Sequence, residues 1–356
     1  MAKPGFHDKP FDEATLTKLE LFKLYAREWL PVFLSKSFKP DVHLFDFFAG
    51  PGTDSVGVHG SPLRLLKQVQ DYADLARTSG VRVHVHLFDA DPLKILALQE
   101  NIDAQGLRLP GVQIEAVALP FEQALQRSWP TISSPRAAKL LLMDQFGIDH
   151  VTPDVFRQLV SAPTCDFLFF VSSSTYYRFQ DHPAIKQKII RADDHYHAHV
   201  VVLDFYRDLI PAGQRFYLSP FSLKKGPNIY GVVFGSAHPL GMDKFLRVAW
   251  TQDELNGEAD FDINRENIRP NQMFLPIEDF RPSKVTAFEA DLEERLRTGR
   301  LQDESEVIQL CFDHGVTPRH ARPVLKKLKD EGTIHLSFSV PDVRRLRAPR
   351  PIRLSR

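Results

Sequence analysis

Between residues 42 and 173, short runs of consecutive apolar residues alternate with segments of helical periodicity, and this alternation limits the folds open to the chain. The runs are VHLFDFF (42–48), VRVHVHLFDA (81–90), GVQIEAVAL (111–119), AAKLLLMDQF (137–146) and CDFLFFVSS (165–173). Between them lie SPLRLLKQVQDYADLA (61–76), read as a helix with Ser61 at its N-cap and Pro62 first inside, DPLKILALQENIDAQG (91–106), capped by Asp91 and stopped by Gly106, and the short FEQALQRSW (121–129). Strands with no polar side must be covered on both faces. Strand, helix, strand in succession implies parallel pairing through right-handed crossovers, hence a doubly wound α/β sheet with helices on both faces. An opening helix over Phe11 to Leu34 carries Leu16, Leu19, Phe22, Tyr25, Trp29 and Phe33 at helical spacing. The 27 phenylalanines need no function beyond filling such a two-sided core.

After a helical segment around Asp194 to Ile210, the runs RFYLSPF (215–221) and NIYGVVFGS (228–236) are joined by the turn-like KKGPN, which predicts an antiparallel hairpin. Five parallel strands followed by a hairpin match the seven-stranded, Rossmann-like sheet of class I S-adenosylmethionine (SAM) methyltransferases. Composition changes near residue 250, giving an expected division into a sheet domain at 1–255, a polar connector at 256–300, a small winged-helix-like module at 301–340 and a basic Arg-rich tail at 341–356. The tail RRLRAPRPIRLSR contains no acid and is expected to be disordered in isolation.

With 45 basic and 45 acidic residues the formal net charge is zero, so a nucleic acid would have to be held by a local patch. The second helix of the module offers one, with Arg319, Arg322, Lys326 and Lys327; the plain alternative is a solvated helix face. Cys165 and Cys311 form neither a CxxC pair nor a metal-ligand spacing, which fits a reducing, cytoplasmic setting. No apolar run approaches the ~20 residues that span a bilayer, and no membrane partner is expected. His84 and His86 share one face of the second strand and are read as packed or hydrogen-bonded, and His195, His197 and His199 in HYHAH point apart if helical; no metal is expected.

The first strand runs into FDFFAGPGTDS, with glycines at Gly50 and Gly52. Such a turn lies at the carboxyl end of the strands, where doubly wound sheets bind ligands. A dinucleotide fingerprint would need a third glycine, absent here, and the Gly50 to Gly60 loop is long for a pyrophosphate cradle. Asp46 at the strand end would repel phosphate and suit a sulfonium and an ammonium group, which selects SAM over a nicotinamide dinucleotide. The second strand ends in FDAD, where Asp89 can accept from both ribose hydroxyls beside Ala90. The fourth ends in Asp144, Gln145, Phe146 and Gly147, where amino-group methyltransferases carry a polar, proline, aromatic motif that holds the acceptor nitrogen and stacks on its ring. Gln145 replaces the proline. The plain alternative makes Asp144 a cap and Phe146 core.

With KLELFKLYAREWL, FDFFAGPG, GSPL, FDADP and DQFG in this order and a small helical module at the end, the sequence resembles the three-Cys-motif partner proteins (TcmP). The resemblance implies a class I methyltransferase-like fold and a SAM pocket. It also implies a bacterial or archaeal setting with a neighbouring radical-SAM-like protein carrying a CxxxCxxC-like motif. It places Asp46, Gly50 and Gly52 on the SAM loop, Asp89 at the ribose, and Asp144 and Phe146 on the acceptor side; Ala49 and Ala90, beside these, are further cofactor-binding candidates. The adenine-contacting acid after the third strand is replaced by ALPF, leaving Glu122 as its candidate.

Two functions follow as expectations. One is methyl transfer to a nucleic-acid base nitrogen held by Asp144 and the Gln145 backbone, with Phe146 and Tyr176 or Tyr177 stacking. The other is a non-methylating partner subunit of the radical-SAM-like protein in a mobile-element or defence setting.

Overall fold

The computed structural model describes residues 9–35, 39–145, 150–171, 198–225, 228–254, 257 and 283–355. Phe146, Gly147, Tyr176, Tyr177, His195 and His197 lie outside the described residues, as does the side chain of His199. The chain divides into two compact units, 1–238 and 239–356, earlier than the composition change near residue 250 placed the boundary.

The first unit holds one seven-stranded sheet, ordered β3-β2-β1-β4-β5-β7-β6. The strands are β1 (Asp41–Asp46), β2 (Arg82–Asp89), β3 (Val112–Ala118), β4 (Ala137–Met143), β5 (Cys165–Val171), β6 (Tyr217–Lys225) and β7 (Asn228–Ser236). β1 to β5 pair in parallel, and β7 runs antiparallel to both β5 and β6. This is the mixed α/β sheet of the class I methyltransferase fold, its closing hairpin included. The parallel strands place β1 between β2 and β4, so the strand order reverses beside β1, where open sheets leave a crevice.

The helices are α1 (Glu13–Leu34), α2 (Ser61–Asp71), α3 (Ala73–Ser79), α4 (Pro92–Ala104), α5 (Phe121–Ile132), α6 (Pro153–Ser161) and α7 (Ala198–Asp208). α4 starts as its sequence predicts: the Asp91 side chain accepts from Leu93 N at 2.9 Å and Pro92 follows. In α2 the cap is Gly60 instead of Ser61, which is already helical. Helix α6 was missed by sequence reading, although Thr152 accepts from Val155 N and Pro153 opens the helix. β4 is buried along its whole length and contains Lys139, whose ammonium donates to Ser134 O at 2.7 Å, Ala137 O at 3.1 Å and Pro163 O. Burial still pushes Lys139 down to about 8. Phe45, Phe47, Phe88, Phe121, Phe156, Phe167 and Phe169 fill one core with α5 and α6, as the phenylalanine count implied.

The second unit contains α8 (Pro239–Gln252), α9 (Ser283–Arg297), α10 (Glu304–Asp313), a 3-10 turn (Pro318–Ala321), α11 (Arg322–Asp330) and the antiparallel pair β8 (Ile334–His335) and β9 (Arg353–Leu354). The acidic end of the expected connector is α9, whose Phe288, Leu292 and Leu296 recur every four residues and are buried in this unit's core. The tail is ordered, against expectation. Ile352 is buried, β9 pairs with β8, and Arg350 makes a bidentate ion pair with buried Glu304. Composition misled here because a few anchors fix a charged strand: one apolar side chain and one fully used arginine. Among the described residues no helix is long and apolar enough to cross a membrane.

Candidate functional site

Three carboxylates stand at the carboxyl ends of three adjacent strands: Asp89 on β2, Asp46 on β1 and Asp144 just past β4. Asp46 is wholly buried. Its Oδ1 accepts from Phe48 N at 3.1 Å, and its Oδ2 has no hydrogen-bond partner, the Ser61 hydroxyl lying close to the carboxylate without the geometry of a hydrogen bond. Burial raises its pKa to about 7; the charges of Asp144 and Asp89 push the same way, while the nearby Ser61 hydroxyl and Phe48 N–H pull in the other direction. A buried carboxylate with an idle oxygen is costly unless something cationic completes it.

The turn after β1 is held by its own residues. Ala49 N donates to Phe88 O at 2.8 Å, Gly50 N to Asp89 Oδ2 at 3.1 Å, and Gly60 N to Gly52 O at 2.7 Å. Thr53 bridges His59, and Asp54 folds the tip by accepting from Val56 N, Val58 N and Phe11 N. Asn101 of α4 donates to Pro51 O at 2.8 Å. The loop that looked long in sequence is therefore a small stapled hairpin. With Phe48, Ala49 and Gly50 N–H groups spent internally, the start of the turn presents carboxylates rather than a row of donors. A diphosphate needs the reverse.

Gly50 and Gly52 have φ of 61° and 90°. At Gly52 a β-carbon would also lie 2.9 Å from Leu98 Cδ1 and 3.3 Å from Leu63 Cγ. Gly52→Ala should lower stability by about 2 kcal/mol, mostly from the backbone conformation. Gly57→Ala, at φ 85° with open space around it, supplies the control that carries the φ cost alone. Urea unfolding midpoints check both; equal losses would remove any role for packing at Gly52.

Asp89 accepts from Gly50 N and from Asp91 N at 2.9 Å, and Lys94 Nζ lies 3.9 Å away. It thus ties the β1 turn to the end of β2 and keeps lone pairs for further donors. Ala49 is buried beside it, and Ala90 is exposed. Asp144 is engaged by Lys18 of α1, whose Nζ lies 2.6 Å from both carboxylate oxygens, with the ammonium 4.7 Å from the Phe170 ring centroid. Gln145 is buried: its Nε2 donates to Phe170 O at 2.9 Å and its Oε1 accepts from His150 N and Val151 N at 3.2 Å each. Its side chain braces β4, β5 and the approach to α6, where a proline would have stiffened only its own turn.

Glu122, on the first turn of α5, pairs with His150 Nδ1 at 2.8 Å, which lowers its pKa. His150 packs against the rings of Phe48 and Phe121, at centroid distances of 5.2 and 5.3 Å, and those two rings stack on each other at 5.5 Å. Sequence reading missed Lys18, Asp54 and His150. A signal existed for the first, a lysine on the apolar face of the opening helix. His150 becomes a neighbour of Phe48 only through the sheet order.

Arg319, Arg322, Lys326 and Lys327 are all exposed in the second unit, on the 3-10 turn and α11. Lys327 is spent on Glu293 of α9, at 2.9 and 3.0 Å.

No known protein family matches the sequence, and no curated protein matches it significantly. Solved structures do resemble its fold. A SAM-dependent methyltransferase from Agrobacterium tumefaciens is 12% identical over 63% of this chain and 62% of its own, with a TM-score of 0.32, so the chain spans under two thirds of it. The O-methyltransferase from Bacillus cereus, solved in complex with SAH, is 12% identical over 66% of this chain and 84% of its own, TM-score 0.33. The O-methyltransferase TomG from Streptomyces achromogenes, solved with SAM, is 11% identical over 63% and 89%, TM-score 0.33.

Proposed function

We propose that the first unit binds SAM at the carboxyl ends of β1 and β2 and is a methyltransferase-like protein acting on a nucleic-acid base nitrogen. The unpartnered, buried Oδ2 of Asp46 carries this reading. A site that places an idle carboxylate beside Asp89 and uses its first turn N–H groups internally complements a cationic amino-acid nucleoside and not a diphosphate. Asp89 would accept from the ribose hydroxyls, and Asp46 would face the positive charge. SAM supplies the methyl group; the chain's part is to hold its donor and acceptor in line, which needs positioning more than a strong base. Arg319, Arg322 and Lys326, which are exposed and form no ion pair among the described residues, would contact phosphate.

A second reading has its own observation. The bidentate Lys18–Asp144 pair and the braced Gln145 occupy groups that an acceptor nitrogen would use. A SAM-binding partner subunit of a radical-SAM-like three-Cys-motif protein needs neither group free.

Calorimetric titration with SAM and, separately, NAD tests the shared part. SAM binding at micromolar concentration, lost in Asp89→Ala, and none with NAD is the expected result; NAD binding alone would overturn it. Transfer of labelled methyl from SAM to bulk RNA or DNA, reduced in Asp144→Ala, then separates the two readings.

A further inference from the structure

At the opposite, amino-terminal ends of β1 and β2, the sheet gathers a second polar cluster that the SAM reading does not use. Parallel register sets Asp41 beside Arg82 and His43 beside His84, with His86, opposite Phe45, two residues further along β2. The three imidazoles are nearly parallel: His43 and His84 lie 4.3 Å apart at 8°, and His43 and His86 5.3 Å apart at 12°. His86 Nδ1 lies 3.1 Å from Glu115 Oε2 on β3, and His86 Nε2 lies 3.0 Å from His43 Nδ1. One proton assignment satisfies this chain. The Glu115 carboxylate accepts from His86 Nδ1–H, so His86 Nε2 accepts from His43 Nδ1–H, and His43 Nε2 is left as a bare lone pair. A carboxylate that fixes an imidazole tautomer from behind is the usual support of a metal-ligating histidine. Here it acts through an intervening histidine.

One ligand atom each from Asp41, His43 and His84 lies within 4.8 Å of the other two. We propose that Asp41, His43 and His84 form a divalent transition-metal site, for Zn²⁺ or a metal of similar taste for imidazole, with His86 and Glu115 orienting His43. Two imidazoles and one carboxylate suit such an ion, and a fourth position stays open for water. Bonds of ~2.0–2.1 Å at a tetrahedral centre require ligand atoms nearer than 4.8 Å, and each imidazole binds along its in-plane lone pair, so His43 and His84 must tilt well out of their parallel stack to close on the ion.

Other charges around the cluster set its affinity. Arg82 holds both oxygens of Asp41, at 2.6 and 2.8 Å, but is 67% exposed, so it can yield at small cost. Arg127 pairs with Glu115 on the side away from His43. Lys139 opposes a cation, being the β4 register partner of His43, although carbonyls of Ser134, Ala137 and Pro163 hold its ammonium. Asp41 and His84 have side chains 17% and 15% exposed, which leaves the ion a route in. The site is independent of the proposed SAM reading, at the other end of the strands.

The test is titration of the full chain, freed of metal with a chelator, with ZnCl₂ alone in a competition assay against a chromophoric chelator. One equivalent should bind. His43→Ala and His84→Ala should each weaken binding at least tenfold, and His86→Ala, which removes only support, by about ten- to a hundredfold. Asp41→Asn, a conservative change near the surface, should weaken binding at least tenfold while leaving the far-ultraviolet circular dichroism unchanged, so the result holds even if a histidine variant misfolds. Co²⁺ in place of Zn²⁺ should show the intense visible absorption of a four-coordinate site. A wild-type dissociation constant weaker than about 0.1 mM, or affinity unchanged in Asp41→Asn, would overturn the proposal.

Discussion

Asp46→Asn should raise the unfolding midpoint of the protein at pH 7 by roughly 5–10 °C and weaken SAM binding more than tenfold. In the native state the Asp46 carboxyl titrates at about 7 because of burial, against an ordinary value of 3.8 when the chain is unfolded. Between those values the folded protein binds a proton that the unfolded chain has released, so stability falls as pH rises from about 4 to about 7. Three pH units of difference amount to about 3–4 kcal/mol. Asparagine keeps an acceptor for Phe48 N and carries no charge to bury. Asp166, also buried and raised to about 6, gives a slope of the same sign, so the comparison must be with the variant rather than with a flat line. Thermal melts of both proteins from pH 4 to 8 should converge at the acid end and separate toward neutrality. Parallel curves would show that Asp46 has a cationic partner already, and the argument for SAM would lose its support. A site that keeps an expensive carboxylate for a cationic ligand trades stability for binding.

The strands were legible from their apolar runs, and β1, β2 and β4 are marked a second time by an acid at or just past their ends. Asp46, Asp89 and Asp144 were found in this way, and the sheet sets them side by side on β1, β2 and β4. What was not legible is how side chains distant in sequence use these acids. Lys18 and Asp144 are separated by 126 positions, and although a lysine on the apolar face of α1 is a local signal, nothing local names Asp144 as its partner. The Gly50 to Gly60 loop counted as long only because the Thr53–His59 bridge and the Asp54 contacts that shorten it depend on its tertiary setting. Gln145 looked like a damaged motif because a proline was expected there. Its amide makes three hydrogen bonds that no proline could make, so the substitution exchanges one means of stiffening the turn for another.

The tail shows the largest distance between composition and structure, and Arg350→Ala measures it. The side chain of Glu304 is 1% exposed. Burial alone would raise its pKa, but Arg350 and the N–H groups of Asp342 and Arg350 hold it below the usual range. The stability this supplies is present above the ordinary glutamate range and is lost as pH falls through the lower native value. Removing the guanidinium leaves a buried carboxylate with backbone donors only, and should cost about 3–5 kcal/mol. It also removes the guanidinium from the Phe338 ring, 4.6 Å away, and loosens the strand in which Ile352 N donates to Gln302 O at 2.7 Å. Arg322→Ala with Lys326→Ala makes the contrasting variant. These side chains are exposed, so the pair should leave the urea midpoint within about 0.5 kcal/mol of wild type. If α11 meets phosphate, the same pair should reduce the salt dependence of nucleic-acid binding by about one ion for each lost contact. A tail that acted as a free basic arm would give the opposite pattern, with Arg350→Ala altering the salt slope and leaving the urea midpoint in place.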